Sequence, residues 1–166
     1  KNEVILPLAI QPRMSGRKIY LKGQISLGVC QDICIPHTIK FNTTLPADQN
    51  ILGTKIKTAL RQQPKTALAA GLRARRCSFS PAPNGLMLKV TLDMPSTGTP
   101  EHVVIETSNP LIWADPPTVS RTGKILSLHT LLTHSAGQPF ALTRNSIRIT
   151  VLGSDHAVDI NGCTEG

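Results

Sequence analysis

Residues 19–30 read IYLKGQISLGVC, and their alternation decides the fold class. Ile19, Leu21, Ile25, Leu27 and Val29 fall on one parity, while Tyr20, Lys22, Gln24 and Ser26 fall on the other. A period of two belongs to a β-strand, whose successive side chains point to opposite faces, so the stretch predicts a half-buried strand. Continuing the alternation puts Cys30 on the polar parity, toward the open face. A second strand is expected over residues 38–45, which makes 30–36 the connection. Upstream, VILPLAIQ at 4–11 is a short apolar run. Pro7 has no amide hydrogen to donate to a ladder, which confines that run to an edge strand or a bulge.

Downstream the period changes. Ile51, Leu52, Lys55, Ile56, Ala59 and Leu60 recur at helical spacing until Gln63 and Pro64, with Asp48 or Asn50 as candidate N-cap. One linking helix is expected there. A second β block starts near Leu72, with strands over 73–79, 86–94, 102–107, 125–132, 146–152 and 157–160. Turns such as Pro83-Asn84-Gly85 and Thr97-Gly98 space them as in a β-sandwich. The expected organisation is all-β: a partial first domain over 1–47, a helical linker over 48–70 and a complete sandwich over 71–166. Three strands in about 45 residues leave a sheet edge open and bury only part of a core. The first block is therefore expected either to complete its sheet with strands lying upstream of Lys1, the preferred reading, or to pack against the second block.

Composition agrees with a turn-rich β protein. Of the 166 residues, 40% are hydrophobic, enough for a packed core and against disorder, and only 17% are charged, against a helical bundle. No run approaches the ~20 apolar residues of a membrane helix, and residues 1–10, charged and then broken by Pro7, do not read as a secretory signal. Any export signal or anchor is expected outside this sequence. The net charge of +8 makes a polyanion partner the first thing to test. Aromatic residues are only 3% of the chain, and Arg73, Arg75 and Arg76 form the one tight basic cluster. Without stacking platforms or a dense basic stripe, nucleic-acid binding is not expected.

The four cysteines, at 30, 34, 77 and 163, divide into a close pair and a distant pair. Bridging Cys77 to Cys163 would close about 87 residues and remove roughly 4.6 kcal/mol of unfolded-state freedom. That is a structural staple. Bridging Cys30 to Cys34 closes about five residues, for roughly 2 kcal/mol before any strain. A bridge that stabilises so little suits redox exchange.

The segment Gly28-Val29-Cys30-Gln31-Asp32-Ile33-Cys34-Ile35-Pro36-His37 carries the candidate chemistry. Exchange needs an accessible, partly ionised sulfur; a protonated His37 would favour thiolate and Asp32 would oppose it. The CxxxC spacing differs from the CxxC of thioredoxin-like sites. Two other readings stand beside exchange. The pair can be a structural disulfide of an exported protein. Alternatively, Cys30, Cys34 and His37 can offer sulfur and nitrogen to zinc or copper(I), although no fourth ligand is evident. Elsewhere, His129 and His134 fall on opposite faces of an extended strand, and Trp113 is expected to pack over a sandwich end. Ser120 and Ser127 lack a GxSxG elbow, and no phosphate-cradling or dinucleotide motif is present.

Leu27-Gly28-Val29-Cys30-Gln31-Asp32-Ile33-Cys34-Ile35-Pro36, followed by a strand and Leu45-Pro46, resembles the periplasmic N-terminal region of the thiol:disulfide interchange protein DsbD family. Within it, the nearer branch is that of the suppressor of copper sensitivity protein ScsB. A looser similarity runs on to Asp159-Ile160-Asn161-Gly162-Cys163. The resemblance implies immunoglobulin-like domains and a redox-active pair at Cys30 and Cys34, with Cys34 forming the mixed disulfide and Cys30 resolving it. It also implies electrons arriving from a membrane-embedded donor domain through a thioredoxin-like domain and passing to periplasmic client proteins, with no small-molecule cofactor. Members of the DsbD branch proper space the two cysteines more widely, and the loop that shields their pair lies upstream of anything corresponding to Lys1. The rival of another class is a structural or protein-binding sandwich in which both bridges are staples.

Overall fold

The computed structural model describes residues 4–14, 16–30, 34–47 and 53–166, with the side chains of Cys30 and Cys34 outside the description. The chain divides into two compact units, Lys1–Arg61 and Gln62–Gly166.

In the first unit, β1 (Ile19–Cys30) and β2 (Cys34–Leu45) form an antiparallel hairpin of twelve residues per strand. The second strand begins four residues earlier than residue 38, so the connection shrinks to residues 31–33. Residues 4–12 form no strand, and Val4, Leu6 and Leu8 are exposed, so the expected third strand is absent among the described residues. Pro7 splits that run into pieces too short to hold a ladder. Helix α1 (Thr54–Arg61) is shorter than the sequence suggests, and the candidate caps Asp48 and Asn50 lie outside the described residues. It ends before Pro64, as helices do when the residue before a proline resists helical backbone angles.

The second unit is a two-layer β-sandwich. Its strands are β3 (Lys65–Thr66), β4 (Ala74–Ala82), β5 (Gly85–Asp93), β6 (His102–Thr107), β7 (Ile112–Ala114), β8 (Thr118–Thr122), β9 (Ile125–His134), β10 (Ile147–Leu152), β11 (Ala157–Asn161) and β12 (Thr164–Glu165). One sheet has the order β3-β11-β10-β6; the other runs β12-β4-β5-β9-β7, with β8 also on β9. The pairs β3 with β11 and β12 with β4 are parallel, the others antiparallel.

Alternation makes the core. On β10, Ile147, Ile149 and Val151 are buried; on β9, Leu126, Leu128, Thr130 and Leu132 are; on β5, Leu88, Val90 and Leu92 are. The inner faces of the two sheets thus supply one aliphatic layer, completed by Val103, Ile105, Val158 and Ile160. Strands β7 and β8 occupy one side of β9 in succession, interrupted at Asp115-Pro116-Pro117. Neither proline can donate to the ladder, and the Thr130 hydroxyl donates to the Asp115 carbonyl at 2.6 Å across the break. Trp113 is 66% exposed, in contrast to the expected packing over a sandwich end. On the three-residue β7, Ile112 takes the inward position and leaves its neighbour outside.

One end of the sandwich is closed by polar groups. Thr97, fully buried, donates to Glu101 Oε1 through its amide at 2.8 Å and its hydroxyl at 2.9 Å. The Arg121 guanidinium grips both oxygens of that carboxylate and donates to the Met94 carbonyl at 3.0 Å. Burial opposes ionisation of Glu101, but the bonds from Arg121 and Thr97 outweigh it and hold the pKa at about 2, from 4.5. The Thr97 carbonyl in turn accepts from the Asp155 amide at 3.0 Å. Gly153 runs so close to it that a Cβ there would sit 2.0 Å from the Thr97 oxygen.

Candidate functional site

The hairpin register is continuous from Ile19 opposite Leu45 to Cys30 opposite Cys34. The two cysteines therefore close the ladder at its turn end. Opposed residues of an antiparallel ladder have Cα atoms about 4.5 to 5.5 Å apart, inside the window of roughly 4.4 to 6.8 Å that a disulfide needs. The apolar parity that ends at Val29 on the first strand resumes at Ile35, its partner across the ladder. Asp32, expected to oppose thiolate formation, lies outside the described residues. His37 is exposed and sits opposite Leu27, on the other parity from the cysteines.

Two unlike faces follow from the register. Ile19, Leu21, Ile25, Leu27 and Val29 share one face with Ile35, Ile39, Phe41 and Leu45. Phe41 lies opposite Gly23, and its ring covers the glycine: a Cβ there would stand 2.7 Å from the ring tip. A bare strand position is thus filled by the aromatic across from it. The even-numbered face carries Tyr20, Lys22, Gln24, Ser26, Thr38, Lys40, Asn42 and Thr44, all exposed, with the Ser26 and Thr38 hydroxyls sharing a hydrogen bond of 3.3 Å. Among the described residues of this unit none is buried.

Cys77 and Cys163 meet a different environment. They form a disulfide with a Cα separation of 5.8 Å, and both residues are buried, at 2% and 6% exposure. Cys77 lies on β4, while Cys163 follows Gly162, whose φ of 69° swings the chain from β11 in one sheet to β12 in the other. The bridge fastens this crossover to the layer it joins. Arg144 supports the corner, its carbonyl accepting from the Cys163 amide at 3.3 Å.

The remaining candidates separate. On β9, Thr118 and Lys89 flank exposed His129, while His134 lies on the other parity, its Nδ1 accepting from the Ala136 amide at 3.2 Å. Ser120 and Ser127 are opposed on neighbouring strands. Among the described side chains, which exclude Cys30 and Cys34, no three of His, Cys, Asp or Glu gather closely enough to hold a metal ion. Likewise, among the described residues no helix is long and apolar enough to cross a membrane. Sequence reasoning missed the Thr97–Glu101–Arg121 cluster, because residues 20 apart on a loop and a short strand leave no periodic signal. It also missed the company of Lys22 and Lys40 on one face, which only the register reveals.

No family model matches the sequence, and no curated protein matches it. Among solved structures, the chain is similar to the crystal structure of the N-terminal periplasmic domain of ScsB from Proteus mirabilis, with a TM-score of 0.67 and 17% identity. The similarity covers 89% of this chain and 58% of that one, so the chain spans little more than half of its neighbour. At that identity the likeness establishes a shared all-β fold.

Proposed function

We propose that this chain is a periplasmic thiol–disulfide exchange region, part of a protein-disulfide reductase, with Cys30 and Cys34 as the exchanging pair. The observation that carries the proposal is the register: the two cysteines are opposed at the turn end of a hairpin with no buried described residue, whereas the other two are sealed in a sandwich core. Loop closure at five residues contributes little stability, so making and breaking this bond costs the fold little. The shared fold with a ScsB periplasmic domain supports the same assignment.

The chemistry is conserved in atoms and electrons. A client disulfide is attacked by the Cys34 thiolate; one new S–S bond forms, the client S–S bond breaks, and the departing client thiolate takes up a proton. The Cys30 thiolate then attacks the Cys34 sulfur, closes the 30–34 disulfide and releases the second client thiolate. Two electrons have moved from the pair to the client. A thioredoxin-like domain, fed by a membrane-embedded donor, restores the dithiol by the reverse steps. The protein supplies access and orientation, which a strand ladder holds better than a free loop.

Trapping tests the assignment. Cys30→Ser removes the resolving sulfur; with its Cys34 thiol first converted to the thionitrobenzoate mixed disulfide, the lone thiol of a thioredoxin-like domain's resolving-cysteine variant should attack Cys34, expel thionitrobenzoate and leave a stable protein–protein mixed disulfide. Absence of that adduct, with the Cys77–Cys163 bridge intact by peptide mapping, would leave a structural module instead.

A further inference from the structure

Charge is divided unevenly between the two units. Residues 1–61 hold nine of the 18 Lys and Arg but only three of the ten Asp and Glu, so six of the eight net positive charges fall there. Those three acids, Glu3, Asp32 and Asp48, lie outside the described residues. The second unit holds the other nine Lys and Arg against seven Asp and Glu, a net of only two positive charges, and pairs Arg121, Arg144 and Arg148 with carboxylates.

Two of the cations lie beside each other on the hairpin. Lys22 opposes Asn42, and Gln24 opposes Lys40, so the lysines are diagonal neighbours on the exposed even face. Such neighbours lie about 7 to 8 Å apart, where like charges repel. Neither forms an ion pair among the described residues. Lys22 is eight residues from Cys30 and Lys40 six from Cys34. At about 3.4 Å per residue, the two lysine positions lie roughly 20 to 27 Å along the same ladder from the cysteine positions. That span fits the footprint of a standard protein interface, about 800 Å² on each side.

We propose that the even face of this hairpin is the docking surface for the exchange partner, and that the partner is a protein bearing carboxylates some 20 to 27 Å from its reactive sulfur. The proposal rests on the exchange function of Cys30 and Cys34. Opposite charge across the face speeds encounter and sets which end of the partner meets the cysteines.

The test uses peptides of about ten residues, long enough to span the face. Each has one cysteine as a thiopyridyl mixed disulfide and three glutamates, lysines or glutamines placed six to eight residues away. Reduced protein forms a bond to the peptide sulfur and expels 2-thiopyridone, read by absorbance; the second protein thiol then releases the peptide thiol and closes the 30–34 disulfide. The glutamate peptide should react roughly tenfold faster than the lysine peptide at low salt. The difference should fall to about twofold or less at high salt, where the screening length is about 3 Å. Lys22→Glu/Lys40→Glu should reverse the preference and leave the rate with uncharged hydroxyethyl disulfide unchanged. Equal rates for the three peptides, with hydroxyethyl disulfide still consumed, would overturn the docking surface alone. No consumption of any disulfide beyond that of Cys30→Ser/Cys34→Ser would overturn the exchange function as well. Strong salt-dependent capture by vesicles of anionic phospholipid, with no peptide preference, would assign the face to a membrane surface and refute a protein partner.

Discussion

Removing the buried bridge, by Cys77→Ala/Cys163→Ala, asks how much of the sandwich depends on it. The cysteines are separated by 86 residues, and closing a loop of that length withdraws roughly 4.6 kcal/mol of conformational freedom from the unfolded chain. Alanine leaves no polar atom in a site that is 2% and 6% exposed, so the loss should reflect the constraint and a small loss of packing. Against a domain stability of about 5 to 15 kcal/mol, a deficit near 4.6 kcal/mol brings the unit close to unfolding at 37 °C. Denaturant unfolding can be followed by the fluorescence of Trp113, the single tryptophan, which lies on β7 of this unit. Cys30→Ser/Cys34→Ser is the control: it acts in the other unit, and it should leave the Trp113 transition within about 0.5 kcal/mol of the parent. A deficit below about 1 kcal/mol for the alanine variant would refute the loop-entropy argument and the division of roles between the two pairs.

Further outcomes follow from the packing and from one carboxylate. Glu101 has its pKa held at about 2 in the folded state against 4.5 ordinarily, so its contribution is complete above about pH 4.5 and is lost as the pH falls toward 2. The shift corresponds to about 3 kcal/mol, and the stability gap between the parent and Glu101→Gln should narrow by that order between pH 5 and pH 2. A gap independent of pH would contradict the ion pair with Arg121. Ile149→Ala, at a fully buried position in the middle of β10, should cost about 2 to 5 kcal/mol by denaturant unfolding. Its neighbour Thr150, changed to alanine, should cost much less. In the hairpin, Gly23→Ala would force the Phe41 ring aside, and increased amide exchange around residues 22–24 and 40–42 should report it.

What the sequence disclosed, and what it withheld, has a physical pattern. Long strands buried on one face announce themselves by alternation, as Ile19 to Val29 and Ile147, Ile149 and Val151 do. The register that places Cys30 opposite Cys34 was not visible, because it depends on how soon the second strand restarts; residues 34–37 carry a proline and a histidine that read as loop. Two-residue strands such as β3 and β12 were missed because their ladders come from distant partners, β11 and β4. The run at 4–11 misled in the other direction: its apolar residues suggest a strand, while most remain exposed without a ladder. Trp113 shows the same limit, since hydrophobic character alone did not tell which side of a three-residue strand it would take.

Titration of the intact chain against graded glutathione buffers, with each disulfide quantified by peptide mapping, bears most directly on the exchange assignment. The 30–34 pair should reduce at a potential well above about −300 mV, in the range of catalytic disulfides, while the buried 77–163 bridge stays oxidised below it. Reduction of both pairs together, at potentials under about −300 mV, would contradict the account and leave two staples in a structural protein.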